Sequence, residues 1–232
     1  MLLGLALGAS PARADCKADG LDFFPSAGSV VPTNVIFLME GFGTEQAYVQ
    51  SLVGQQLIFK ATDDIVTAKV LSGYHSEMNR VSVKIEPNHS LRPNKRYTMI
   101  LEGRDSPSWE SGGGPDDRAP NWLRRPAVAE GQYLYQGGKL TRFVRLEMQF
   151  EEQSPVYLVV TLERARASTA QQTYIVPVRD GKATLGHDAC SGGFVLEDGK
   201  AYKATVLAYD AAGNAAPRVP AVNFQAPRAS GL

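Results

Sequence analysis

The run Lys200–Pro217, KAYKATVLAYDAAGNAAP, constrains this chain most. Tyr202, Ala204, Val206 and Ala208 alternate with Lys203, Thr205, Leu207 and Tyr209, the period of two that marks a strand and not a helix. Asp210-Ala-Ala-Gly213-Asn214 then supplies a turn, because Gly and Asn take the positive φ that β-branched residues avoid. The same period recurs in Val81-Val83-Ile85, in Tyr97-Met99-Leu101, in Val144-Leu146-Met148-Phe150 and in Val156-Leu158-Val160-Leu162. Asn34–Met39 reads as one continuous buried strand, and Gln46–Leu52 as a helical turn. Short runs separated by Gly, Pro and Asn predict an all-β chain.

The 232 residues, 44% hydrophobic and 21% charged, have ordinary globular composition. They suffice for two sandwich domains of about 100 residues each. The expected boundaries are 15–103 for the first, 104–126 for a linker, 127–225 for the second and 226–232 for a tail. Gly112-Gly113-Gly114-Pro115 followed by Asp116-Asp117 cannot hold regular structure, which defines the linker. Trp109 and Trp122, the only tryptophans, flank it and are expected to plug the end of each domain.

Three segments carry a family likeness in the first domain: Pro25-Ser-Ala-Gly28-Ser-Val-Val-Pro32, Val81-x-Val83-x-Ile85-x-Pro87 and Leu91-x-Pro93-x-x-x-Tyr97. Over Leu21–Gly103 the chain resembles bacterial Ig-like domains of surface-layer and envelope proteins. The Tyr202–Asn214 stretch resembles the end of a fibronectin type III domain. There Leu196, six residues before Tyr202, has the spacing of a tyrosine corner. The likeness implies two tandem Ig-like/fibronectin III-like β-sandwiches, which hold shape and present surfaces. It carries no catalytic residue.

Residues 1–14, MLLGLALGASPARA, read as a secretory signal: an apolar run too short to span a bilayer, then the Ala12-Arg13-Ala14 cleavage pattern. An extracytoplasmic protein starting at Asp15 is the expectation, periplasmic, cell-surface or secreted. In that setting the only two cysteines, Cys16 and Cys190, read as one disulfide. No later apolar run reaches membrane-spanning length.

Lys+Arg and Asp+Glu both number 24, so no net field favours nucleic acid. His75, His89 and His187 fall far apart, without zinc-ligand spacing, and no nucleophile-elbow serine occurs. An Ig-like sandwich behind a signal peptide also resembles periplasmic copper-resistance proteins, but those begin with a copper-binding His where this chain has Asp15. Asp63-Asp64 and Glu151-Glu152 read as solvated turns, since strand neighbours point to opposite faces. Asp116-Asp117, or Asp210 with Asn214, are the oxygen sets a calcium ion would need, but the spaced loop is missing. The sequence therefore predicts no enzyme, no cofactor and no metal.

One surface stands out. If Val156, Leu158, Val160 and Leu162 face the core, Tyr157, Val159 and Thr161 face outward; if Tyr202 to Ala208 face inward, Leu207 and Tyr209 face outward. Tyr157, Val159, Leu207 and Tyr209 would then merge into one apolar patch. The sequence favours the first domain, or the Trp122-Leu123 end of the linker, as its cover, with an external partner as the other reading. A partner would be a protein or a polysaccharide, in binding, adhesion or spacing at the envelope. The rival function is an accessory carbohydrate-binding part of an extracellular hydrolase system.

Overall fold

The computed structural model describes residues 19–136, 139–151, 154–164, 171–187 and 192–229. The signal segment 1–14 and both Cys16 and Cys190 lie outside the described residues. Within them the chain makes two β-sandwiches in series.

The first contains β1 (Gly20–Phe24), β2 (Val30–Val31), β3 (Phe37–Phe42), helix α1 (Glu45–Ser51), β4 (Gln56–Ala61), β5 (Asp64–Ser76), β6 (Arg80–Pro87), β7 (Arg96–Ile100) and β8 (Ser108–Ser111). These strands form one ladder in the order β1-β3-β6-β5-β4-β7-β8-β2. It closes into two layers because β5 serves both. The start of β5 pairs with β4 and its end with β6, and the register slips between Val70 and Gly73, where a bulge bends the strand. The layers meet on Phe37, Phe59 and Trp109, fully buried, with ring centroids 4.8 Å and 4.6 Å from Phe37 to the other two. β2 runs parallel to β8, which seals that edge.

Several expectations need correction here. The segment 104–126 is not linker throughout, because Ser108–Ser111 pairs with both β7 and β2. Trp109 is not a plug at the domain end. It sits at the centre of the core, and its indole N–H donates to the Pro25 carbonyl at 2.9 Å. The Asn34–Met39 run starts its strand only at Phe37, since Asn34 lies in a turn. The helical turn near Gln46 exists as α1.

The second sandwich contains β9 (Trp122–Gln136), β10 (Lys139–Phe150), β11 (Val156–Arg164), β12 (Gln172–Pro177), β13 (Lys182–His187), β14 (Ala201–Asp210) and β15 (Val222–Gln225). One sheet has the order β13-β10-β9 and the other β12-β11-β14-β15. It begins at Trp122, five residues earlier than the sequence suggests, because β9 pairs with β10 along its length. Asp180 and Gly181 both take positive φ, 50° and 70°, the pattern of a type I′ hairpin turn between β12 and β13. The tail is not free either: Ala226 is buried and its amide bonds the Lys200 carbonyl.

Each sandwich carries a tyrosine corner. The Tyr202 hydroxyl accepts the Glu197 amide at 2.9 Å, and the Tyr97 hydroxyl accepts the Arg92 amide at 2.9 Å. Leu91 and Leu196, each six residues before its tyrosine, are buried beside them. Tyr97 also donates to Asp64 at 2.5 Å, so Asp64 is a core-edge acceptor and not the solvated turn residue expected.

Candidate functional site

Tyr157, Val159, Leu207 and Tyr209 lie on neighbouring strands at the junction of the two sandwiches. β11 and β14 are antiparallel neighbours, with Tyr157 opposite Tyr209 and Val159 opposite Leu207. The two tyrosine rings stack with centroids 5.5 Å apart and planes at 20°. Tyr157 is only 4% exposed, because it belongs to the apolar cluster of the first domain, together with Ile175 and Ala211 of the second. Phe24 meets it edge-on at 5.5 Å. Val159 and Tyr209 are half-buried against the same cluster. Leu207 is half-buried but outside it. Burial pushes the Tyr157 hydroxyl well above the ordinary tyrosine range, and the neighbouring Tyr209 and Tyr74 add to this.

Polar bonds cross the same junction. The Tyr174 hydroxyl donates to Glu40 Oε1 at 2.6 Å, while Glu40 Oε2 receives the Arg80 guanidinium at 2.9 Å. Burial and then the Glu40 charge raise the Tyr174 pKa far above its usual value. The Ile36 amide donates to the Ala211 carbonyl at 2.7 Å. Gly213 is required beside this bond: its φ is +86° and an added Cβ would lie 2.4 Å from Ile36 Cδ1.

The connector is pinned as well. Asn34 exchanges two hydrogen bonds with the Asp116 backbone, donating to its carbonyl at 3.0 Å and accepting its amide at 2.9 Å. Asn214 donates to the same carbonyl at 2.8 Å and to Asp210 Oδ2 at 2.9 Å. The structure thus joins Asp116, Asp210 and Asn214, the two oxygen sets weighed for calcium. Asp210 is buried, yet its oxygens are taken by the amides of Ala212 and Asn214 and by the Asn214 side chain. Among the described residues no group of three or more His, Cys, Asp or Glu could hold a metal ion. Trp122 packs on Phe150 at 4.3 Å and donates to the Pro217 carbonyl, at the end of the second sandwich.

Beside the junction lies a cleft of about 720 Å³, within the range of ligand sites. Its first wall is the outer face of β1, β3 and β6, with Phe24, Leu38, Glu40 and Ser82. Its second wall is β12 and β13, with Ile175, Arg179 and Lys182. Sequence reading missed this cleft, since its walls come from strands some 150 residues apart in the chain. The Asp180-Gly181 dipeptide was the available signal for the hairpin that brings Arg179, Asp180 and Lys182 to the cleft.

Strand order and junction define a tandem Ig-like/fibronectin III-like β-sandwich protein. No protein-family model matches the chain, and no curated protein matches it. Among solved structures, the FN1-FN3 domains of chicken CNTN1 are similar at 12% identity and a TM-score of 0.30, over 87% of this chain and 63% of that one. The tandem Ig repeats of Dlar match at 11% identity and a TM-score of 0.23, over 90% and 98%. Pullulanase type I from Bacillus subtilis matches at 9% identity and 0.28, where this chain spans only 23% of that protein. At such scores none of these likenesses bears on function.

Proposed function

We propose that this chain is an extracytoplasmic, non-catalytic protein of the bacterial envelope, in which two sandwiches docked at a fixed angle present surfaces for binding, adhesion or spacing. The observation that carries this reading is the use of the Tyr157 face inside the molecule, with Phe24 as its cover. An interface that is both apolar and hydrogen-bonded resists domain motion more than a bare linker does. Four polar side chains inside the molecule are engaged in holding structure: Glu40 with Tyr174 and Arg80, Asp64 with Tyr97, Asp210 with its turn, and His187 with the Leu140 carbonyl.

Unfolding and small-angle scattering of the full-length chain test the docked geometry. Tyr157→Ser is expected to cost about 3 kcal/mol, as truncation of a large buried side chain does, and to lengthen the particle. Leu207→Ser is expected to cost under about 1 kcal/mol. Unchanged stability and shape in Tyr157→Ser would overturn the fixed junction. Sequencing of exported protein should begin at Asp15, and its denatured, unreduced form should carry no free thiol.

A further inference from the structure

β12 is the outermost strand of its sheet, and its free edge fronts the cleft. Four consecutive residues, Tyr174 to Pro177, line it. Side chains of a strand alternate between faces, so consecutive lining means that the backbone edge itself borders the space. The Val178 amide donates to the Val156 carbonyl at 2.9 Å. By the alternation of an antiparallel ladder, Val176 and Tyr174 turn their peptide groups toward β11, and Ile175 and Thr173 turn theirs away. Ile175 is 4% exposed, and no described residue bonds its outward amide or carbonyl. The outward Ile175 peptide groups front the cleft, so this edge is open to strand pairing. The Ser82 hydroxyl in the opposite wall has no hydrogen bond among the described residues and stays open to the cleft.

We propose that the cleft receives an extended polypeptide segment of a partner protein, alternating apolar and acidic residues, which adds to β12 as a new strand and bonds the Ile175 peptide groups. This deepens, and rests on, the reading of the chain as a binding protein. Strand addition supplies affinity through backbone bonds, and alternate side chains supply selectivity. The apolar set faces Phe24 and Leu38. The acidic set faces Arg179 and Lys182, which outnumber Asp180 on that wall, while Asp22 and Glu40 lie on the opposite one; Arg179 has no carboxylate partner among the described residues, and Lys182 reaches Glu147 only at 3.6 Å. Pro177 at the end of the edge offers a carbonyl but no N–H, which limits the pairing to the residues before it.

The probe is labelled acetyl-Val-Glu-Val-Glu-Val-Glu-amide, titrated into the full-length chain by fluorescence anisotropy, with amide exchange read by NMR. Saturable binding is expected, with slowed exchange at Ile175. N-methylation of alternate probe amides should weaken it at least about tenfold, since strand addition needs those donors. Arg179→Glu should weaken it to a similar extent, because it places like charges together. No saturation up to about 1 mM, equal binding of the N-methylated probe, or competition by maltohexaose would overturn the assignment. If the probe fails while Tyr157→Ser still lengthens the particle, the docked-module reading stands and only the cleft's occupant falls.

Discussion

The Tyr174 hydroxyl, on β12 of the second sandwich, donates to Glu40 on β3 of the first at 2.6 Å, and Arg80 holds the other carboxylate oxygen. Tyr174 is 2% exposed, while the Glu40 side chain is 22% exposed and lines the cleft, so removing the hydroxyl takes one hydrogen bond from a carboxylate that water still reaches. Tyr174→Phe is expected to lower stability by about 1–3 kcal/mol, the range for a lost hydrogen bond to a charged group. Urea unfolding of the full-length chain checks this. A cost below about 0.5 kcal/mol would mean that water replaces the hydroxyl at the junction.

The same junction sets an alkaline limit. Tyr157 and Tyr174 both have pKa values raised above the ordinary 10.0, chiefly by burial. The folded chain keeps both protons at a pH where the unfolded chain releases them. Their contribution to stability is therefore complete below pH 10 and is lost as pH rises further. Stability followed from pH 8 to 11 should fall above 10, and the fall should shrink in a Tyr157→Phe variant.

Much of this architecture was legible because alternation survives wherever one strand face is buried. Val156 to Leu162 and Tyr202 to Ala208 reveal their inward sides by pattern alone, and their outward sides meet as neighbours. β8 was not legible: four residues beside Gly112–Gly114 carry too little pattern to outweigh glycines, so Trp109 read as a plug. β9 was hidden by Pro126 and by its position at a sheet edge, where exposure weakens alternation. The cleft was illegible for a different reason. It depends on how two domains dock, and on which peptide groups of β12 turn away from β11.

Asp210 links the connector to pH. Burial raises its pKa above 3.8, opposed by hydrogen bonds from Asn214 and assisted by the nearby Asp116 charge. The folded state holds its proton more tightly than the unfolded state. Its contribution is thus largest below 3.8 and declines as pH rises through the folded value. Asp210→Asn removes that titration while keeping an oxygen for the Ala212 and Asn214 amides. The stability difference between wild type and variant should change as pH rises from 3.8 through the higher folded value. A constant difference across the whole range would show that Asp210 titrates alike in both states.

The two tyrosine corners predict unequal costs. Tyr202 supplies an acceptor to the Glu197 amide, and Tyr202→Phe strands one backbone donor, worth about 1 kcal/mol. Tyr97 does the same for Arg92 but also donates to Asp64, whose side chain is 10% exposed and reaches the Arg92 guanidinium only at 3.6 Å. Tyr97→Phe therefore strands a donor and a nearly buried carboxylate together, and should cost about 2–3 kcal/mol. Asp64→Asn provides the control, since an amide oxygen still accepts from Tyr97 without leaving a charge behind. A double-mutant cycle over Tyr97→Phe and Asp64→Asn should give a coupling of about 1 kcal/mol. Additive costs would assign the whole effect to the Arg92 amide and make both corners equivalent.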